Sequence, residues 1–398
     1  MAMACAMAWG LAACESDDTD FSSLTSDRWE DDGSGSGGEV VAVKDFDIDT
    51  TPLAESETFS ADDNDYVENS TFDYQVTISY SGTTATLTGD VERVSVSQTG
   101  AHVVITSNVK DMEYVLTGAS ANGSLKVYSD YKFKLTLNGV QLTNPTGAAI
   151  NNQCGKSLYV VVADDTNNVL QDGASYIAAG DEDQRGTLFS EGQMIFSGKG
   201  LLSIYANAKN GIASDDYIRF RPGTNIYVNS TVNNGVKAKD GIFIAGGVLN
   251  IEVSGDGAKG LNCDMGIDVA GGRTTVITSG KSVIEANDTS SCAAVKCDST
   301  LTITGGTLNL KSTGEGGKGI NSKRDVIVKG GEINVVALGE KLNSSPKGIK
   351  ADENISISGG YIYSYSAASS PIEAKGTLTV APGYATYNPG ERLWEVGY

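Results

Sequence analysis

The chain reads as an all-β protein, a parallel β-helix (β-solenoid) of about eight to ten stacked coils with an irregular N-terminal β cap. Three observations predict it. First, a phrase seen plainly in Gly235-Val236-Lys237-Ala238-Lys239-Asp240-Gly241-Ile242-Phe243-Ile244-Ala245-Gly246-Gly247 recurs, with openings at Thr187, Gly211, Gly235, Gly260, Ala294, Gly319, Gly348 and Pro371. From Gly211 onward, the step from each opening residue to its closing corner glycine (Gly223, Gly247, Gly272, Gly306, Gly331, Gly360, Gly383) is 12 in every copy. Second, apolar and polar residues alternate inside the copies, as in Leu301-Thr302-Ile303 and Ile355-Ser356-Ile357, which is strand periodicity. Third, openings fall 24, 24, 25, 34, 25, 29 and 23 residues apart, the length of one solenoid coil.

In chain order, residues 1–14 form an apolar run ending in Leu11-Ala12-Ala13-Cys14. This resembles the lipobox of bacterial lipoproteins, which implies lipidation at Cys14. The run is too short to span a membrane as a helix, and no Lys or Arg precedes it as in a signal peptide. Glu15, Asp17, Asp18 and Asp20 follow, resembling the acidic export signal of some outer-surface lipoproteins of Gram-negative gut bacteria. Residues 15–39 are acidic, then Gly/Ser-rich, and read as a flexible tether. Residues 40–145 alternate in short runs such as Val103-Val104-Ile105 and Leu135-Thr136-Leu137 without the regular phrase, and are expected to hold a β cap and the first irregular coils. Caps are needed because an open terminal coil exposes unpaired strand edges.

Residues 146–383 hold the regular helix, and residues 384–398, with Tyr387, Trp394 and Tyr398, a C-terminal cap. Insertions around Asn287 to Cys292 and Gly339 to Pro346 lengthen two steps, and a third irregular stretch, Asp172 to Arg185, carries Asp181-Glu182-Asp183. The first two precede a coil opening, so they emerge at one corner. Loops gathered on one side often make a binding face.

Composition narrows the chemistry. The 398 residues carry 29 Lys plus Arg against 50 Asp plus Glu, a net charge of −21. Such a surface repels nucleic acid and anionic membranes. A single histidine, His102, argues strongly against a Ser-His-Asp site or a multi-histidine metal site and in favour of hard-cation sites built from oxygens. Cys263 and Cys297 occupy the same place in their coils, where others carry Ser214, Ala238, Ser322, Ala351 and Ala374. They read as members of a stack of small inward residues, with a disulfide as the alternative.

Several segments together carry a family resemblance: Leu135-Thr136-Leu137-Asn138-Gly139-Val140 with Ala148-Ala149-Ile150, Gly186-Thr187-Leu188-Phe189-Ser190 before Gly198-Lys199-Gly200, and Asn210-Gly211-Ile212-Ala213-Ser214-Asp215-Asp216 before the glycine-cornered coils. Over roughly residues 70–383 the chain resembles bacterial secreted carbohydrate-binding domains with a right-handed parallel β-helix similar in shape to pectate lyases. The resemblance implies calcium ions on the helix and binding of plant cell-wall polysaccharides such as cellulose and pectin, without demonstrated cleavage. The family's Gly-Asp-Gly-Ile approach is replaced here by looser runs such as Gly255-Asp256-Gly257-Ala258-Lys259-Gly260.

Stacking turns one position per coil into a column. Four residues after each opening stand Glu191, Asp215, Lys239, Asp264, Asp298, Lys323, Asp352 and Lys375; two after stand Phe189, Ala213, Lys237, Asn262, Lys296, Asn321, Lys350 and Glu373. Both columns alternate outward with the inward positions. One reading is a self-neutralising charge ladder. The functional reading places calcium among Asp215, Asp216, Asp240 and Asp264, where neighbouring carboxylates repel unless a cation intervenes, with Asp181 and Asp183 (beside Glu182) as a second candidate. In Tyr361-Ile362-Tyr363-Ser364-Tyr365 three tyrosines are expected in line on one outer face, suited to the C–H faces of sugar rings or to packing under a neighbouring segment. Lys237 and Lys350 join Tyr361, Tyr363 and Tyr365 as candidate carbohydrate-binding residues.

The expectation is a lipid-anchored protein of the outer-membrane surface that binds extracellular polysaccharide non-catalytically through a calcium-stabilised β-helix, with a surface glycan-uptake complex as a candidate partner. The rivals are a calcium-dependent pectate-type lyase, with Lys237, Lys350, Arg219 or Arg221 as base, and an adhesin or scaffold recognising protein. A base must be partly neutral, and nothing in the sequence marks a desolvated lysine.

Overall fold

The computed structural model describes residues 42–57, 60–178, 180, 182–285, 288–388 and 392–397. Cys14 and the tether lie outside these residues.

Alternating strands and glycine corners produce a parallel β-helix with three strands per coil. The first ladder has eleven parallel strands, from Ala101–Ser107, Gly123–Ser129 and Ile150–Asn152 to Lys347–Ala351 and Ile372–Ala374. Numbered along this ladder, the coils run from 1 to 11. A second ladder of short strands, such as Tyr217–Phe220 and Gly241–Ile244, is followed by a corner and then a third, such as Asn225–Ser230 and Val248–Val253. The strands Phe133–Asn144, Val326–Ala337 and Ile355–Ser366 run through that corner and belong to both. Parallel pairing begins with Tyr74–Ser81 on Met112–Ser120, and the first ladder begins at Ala101; both lie inside the segment 40–145, and these early coils lack the glycine phrase. Among the described residues helix is confined to two 3-10 turns, Val67–Asn69 and Val91–Arg93.

Register follows the sequence phrase closely. One aliphatic per coil stacks in the first ladder: Val103, Leu125, Ile150, Leu188, Ile212, Val236, Leu261, Val295, Ile320, Ile349 and Ile372 are paired rung to rung. All but Ile372 are fully buried, so the hydrophobic core is a column that runs the length of the molecule. The small inward column holds Cys263 opposite Cys297. Both are buried free thiols, as are Cys154 and Cys292.

The seven closing corner glycines, Gly223 to Gly383, all have φ between 76° and 94°, a region that disfavours residues with a Cβ. At Gly306 an added Cβ would also lie 2.6 Å from the carbonyl oxygen of Gly271 in the coil above. Gly306→Ala is therefore expected to destabilise the protein by about 2 kcal/mol in urea unfolding. Gly155→Ala, where the added atom meets open space, is expected to be neutral.

Both ends are closed by antiparallel pairing, which blunts open edges. Tyr74–Ser81 forms a hairpin with Thr84–Gly89, and Ser95–Thr99 pairs with Ala101–Ser107. At the other end Leu393–Gly397 lies antiparallel on Ile355–Ser366. Beyond these caps, residues 42–57 and 60–70 form a strap across the outside of the stack. The amine of Lys44 donates to Asn334 in coil 9 (2.7 Å), Asp45 pairs with Lys311 in coil 8, and the carbonyls of Asp49 and Thr51 accept from Arg273 in coil 7. Further along, Glu57 and Glu68 clasp Arg221 in coil 5, and the carbonyl of Asn64 accepts from Tyr159 in coil 3.

The two later insertions sit at one corner and are each stapled by a lysine, half-buried Lys259 and buried Lys318. Lys259 donates to Ser290 Oγ of the hairpin Val283–Glu285/Asp288–Ser290 (2.7 Å), and Lys318 to Ser344 Oγ of the 339–346 insertion (2.9 Å). Neither ammonium has a carboxylate in hydrogen-bond contact among the described residues.

Candidate functional site

Every residue of the two predicted outward columns lies in register. Phe189, Ala213, Lys237, Asn262, Lys296, Asn321, Lys350 and Glu373 pair rung to rung. The second column continues the same hydrogen bonding, for example Asp264 N–H to Ala238 O and Asp352 N–H to Ser322 O. From coil 6 downward this face neutralises itself. Lys237 pairs with Asp264, Asp298 with Lys296 and Lys323, and Asp352 with Lys350 (2.6 Å) and Lys375 (2.9 Å). Partial burial alone would raise the Asp298 and Asp352 carboxyls, but their paired ammonium groups hold both below the usual range. Lys237 and Lys350 are thus rungs of a charge ladder.

The expected acidic run does not converge. Asp264 faces Lys237, Asp240 is exposed, and Asp216 turns away to accept from Gln193 Nε2 (2.6 Å) and from the N–H of Tyr217. Asp181 lies outside the described residues. What the fold does bring together is Asp183 and Asp215, one from each candidate group, with Glu191. One carboxylate oxygen from each lies within 4.8 Å of the others. The cause is the 172–185 insertion, which folds back across the ladder where Phe189 is fully buried, with the Asp183 carbonyl accepting from Gln153 (2.9 Å) and the Arg185 carbonyl from Asn210 (2.6 Å).

Arg185 is the local counter-charge, bonded to Asp183 (2.5 Å) and Asp215 (2.9 Å). In direct contact one guanidinium faces three carboxylates, with the Lys239 ammonium acting from farther away. Burial first, and then repulsion from Asp215 and Asp183, pushes the Glu191 carboxyl up; burial pushes Asp215 up despite Arg185. Next to this cluster is a pocket of about 310 Å³ with Ala213 at its floor and Asn210, Asn234, Arg185, Lys237 and Asp264 among its walls. It opens because the outward column drops from Phe189 to alanine at coil 5. Glu191, Arg185 and the two asparagines were not singled out from sequence; the available signal was the Asp181-Glu182-Asp183-Gln184-Arg185 run just before a coil opening.

The three tyrosines do point outward from one strand, but other segments cover them. Tyr363 is 2% exposed and its hydroxyl accepts from the Lys44 N–H (3.1 Å). The Lys44 ammonium sits 4.7 Å from the Tyr361 ring centroid and 5.0 Å from that of Tyr363, in the place a sugar face was expected to take. Tyr361 donates to Glu395 of the C-terminal cap (3.0 Å), and half-buried Tyr365 pairs with Leu393. Higher on the third ladder, Tyr205 is partly exposed and Tyr227 donates to Glu252.

A family model described as "Carbohydrate-binding domain-containing protein" matches residues 99–315 and 227–392, well over half of the chain. The chain belongs to this family. The two matches overlap, as expected for a family whose coils resemble one another. The first begins beside Ala101, where the first ladder starts. A solved structure described as the polysaccharide lyase-like protein from C. thermocellum, a gadolinium derivative, is similar at 20% identity, covering 78% of this chain and 98% of that one with a TM-score of 0.47. Among curated proteins none matches. Family membership supports polysaccharide as the partner, and the outer face of the first ladder holds the polar pocket beside a convergent acidic cluster.

Proposed function

We propose that the chain binds extracellular polysaccharide at the Ala213 pocket, with calcium held by Asp183, Glu191 and Asp215, and does not cleave it. The observation that carries this reading is the junction of an open polar pocket with an under-neutralised carboxylate cluster on one ladder of a carbohydrate-binding β-helix. The donor set fits a hard cation: three carboxylates at a half-buried corner offer oxygen ligands of the kind calcium takes, and a divalent charge would relieve the repulsion that raises Glu191 and Asp215. Bound there, calcium supplies charge neutralisation and open coordination for sugar hydroxyl or carboxylate oxygens. Lys209 and Lys239, which line the pocket without a salt-bridge partner among the described residues, would hold anionic groups.

A binding role without cleavage is supported by the state of the lysines. Lys237 and Lys350 are already paired with carboxylates, and Lys318, the strongly desolvated one, lies beneath the 339–346 insertion. The reading extends to a lipid anchor at Cys14 and an outer-membrane surface location, where the 15–39 tether would hold the helix clear of the membrane and within reach of a glycan-uptake complex.

The test is retention of the full chain on pectic and cellulosic polysaccharides, with calcium and with chelator, while the absorbance of unsaturated uronates is followed in the same tubes. Calcium-dependent retention without new absorbance is the expected result. Rising absorbance would move the assignment to a lyase, and no retention on any glycan would favour protein recognition. Replacing Glu191 and Asp215 together by their amides is expected to weaken calcium binding, measured by calorimetry, by at least about tenfold.

A further inference from the structure

The first ladder carries a second opening above the 172–185 insertion. It is a pocket of about 470 Å³ walled by Tyr128, Thr106, Asn108, Asp130, Gln153 and Arg93. Thr106 and Tyr128 are partners on adjacent rungs, so the ring and the hydroxyl sit side by side on the outer face. The Tyr128 hydroxyl donates to the carboxylate of Glu182, which also pairs with Lys126 (2.6 Å). The ring is thereby pinned while its flank stays half-exposed. Burial, and then Glu182, pushes the phenol up to about 12, so it stays protonated and donating. Thr106, Asn108 and Asp130 have no side-chain hydrogen-bond partner among the described residues. Tyr363, Tyr159 and Tyr217 offer no comparable surface, because strap and caps hold them.

We propose that this pocket is a second saccharide subsite, taking an uncharged sugar ring stacked on Tyr128 with its hydroxyls bonded by Thr106, Asn108 and Asp130. A pyranose presents an apolar C–H face and a rim of hydroxyls, which an aromatic face bordered by unspent donors and acceptors matches. Lys126 neutralises Glu182 and Asp90 pairs with Arg93, so Asp130 is the unpaired charge of this pocket and disfavours a uronate, whereas the Ala213 pocket carries Lys209 and Lys239 without salt-bridge partners among the described residues. The two openings lie on the same ladder, three to four rungs apart, roughly 14 to 19 Å at the spacing of paired strands. The insertion between them contributes Glu182 to one and Asp183 and Arg185 to the other. A single polysaccharide chain can therefore engage both, and occupancy of one raises the effective concentration at the other. The inference rests on the polysaccharide-binding reading above.

The test uses the full chain and hexasaccharides of glucose, xylose, mannose and galacturonate, with titration calorimetry as the readout. Tyr128→Ala is expected to weaken binding of an uncharged hexamer about tenfold or more, the loss of one stacked ring. Tyr128→Phe, which keeps the ring, should stay within about threefold of the unaltered protein. Asn108→Ala, at an exposed position, should weaken the same hexamer without disturbing the fold, so the test survives if Tyr128→Ala fails to fold. Unaltered affinity in both Tyr128→Ala and Asn108→Ala overturns the subsite and leaves the first reading standing. No binding of any hexamer by the unaltered protein overturns both.

Discussion

Arg221→Met is expected to lower the free energy of unfolding by about 3 kcal/mol. The Arg221 side chain is 6% exposed and its guanidinium reaches Glu57 through Nε and Nη2 and Glu68 through Nη1 and Nη2, at 2.8 to 3.3 Å. It also stacks 4.3 Å from the centroid of the Tyr66 ring. Methionine retains the volume of the stem but leaves Glu57 and Glu68 without their cation, and breaking such a pair costs more than the pair contributes. Arg221→Lys, which keeps the charge and loses the planar fork, should fall between the two. The effect also has a pH signature. Against the burial that would raise it, Arg221 holds the Glu68 carboxyl below its ordinary value in the folded protein. That contribution is present above the unfolded carboxyl's pKa and is lost as pH falls through the folded one. The gap between the two proteins in urea unfolding should therefore narrow as the medium is made more acidic than about pH 4.5.

Lys318→Met is expected to do the opposite and stabilise the protein by as much as about 3 kcal/mol at pH 7. The Lys318 ammonium is buried beside Lys350 and Lys347, and burial first, then those charges, bring its pKa to about 8 against an ordinary 10.5. The unfolded chain then binds this proton more tightly than the folded one. Folding below pH 8 carries the full cost of a buried charge, and stability rises as pH climbs from about 8 to 10.5. Methionine removes the charge and the pH dependence together, at the loss of one hydrogen bond to Ser344, worth about 1 kcal/mol. Unfolding curves at pH 7 and pH 10 should show a large gain at the first and little at the second. Equal effects at both would mean that Lys318 is not desolvated as described.

Much of the architecture was readable because a solenoid writes its geometry once per coil. The 12-residue step located the seven corner glycines, all of which adopt positive φ, and the offset from each opening residue placed Lys237 beside Asn262, and Cys263 beside Cys297, in the observed register. Outward alternation also placed Tyr361, Tyr363 and Tyr365 on one face. The strap was not readable, because residues 42–70 carry no apolar period and bind through single charges and carbonyls to residues far away in sequence. Without it, the tyrosines looked free. The acidic cluster was half-readable: Asp183 and Asp215 were both singled out, but their meeting depends on how the 172–185 insertion folds, and an irregular loop has no period from which to infer that.

The strap also sets an order of events. Coils interact with their immediate neighbours, so the stack can grow coil by coil from contacts of short sequence separation. The strap's contacts join residues as distant as Lys44 and Tyr363, 319 positions apart, and they have nothing to dock against until coils 3 to 10 exist. The segment nearest the start of the chain is therefore among the last to find its place. Until it does, Asn250, Thr275 and Tyr363, all nearly inaccessible in the finished molecule, remain open to water, and the late step that covers them binds coils 3 and 10 into one cooperative unit.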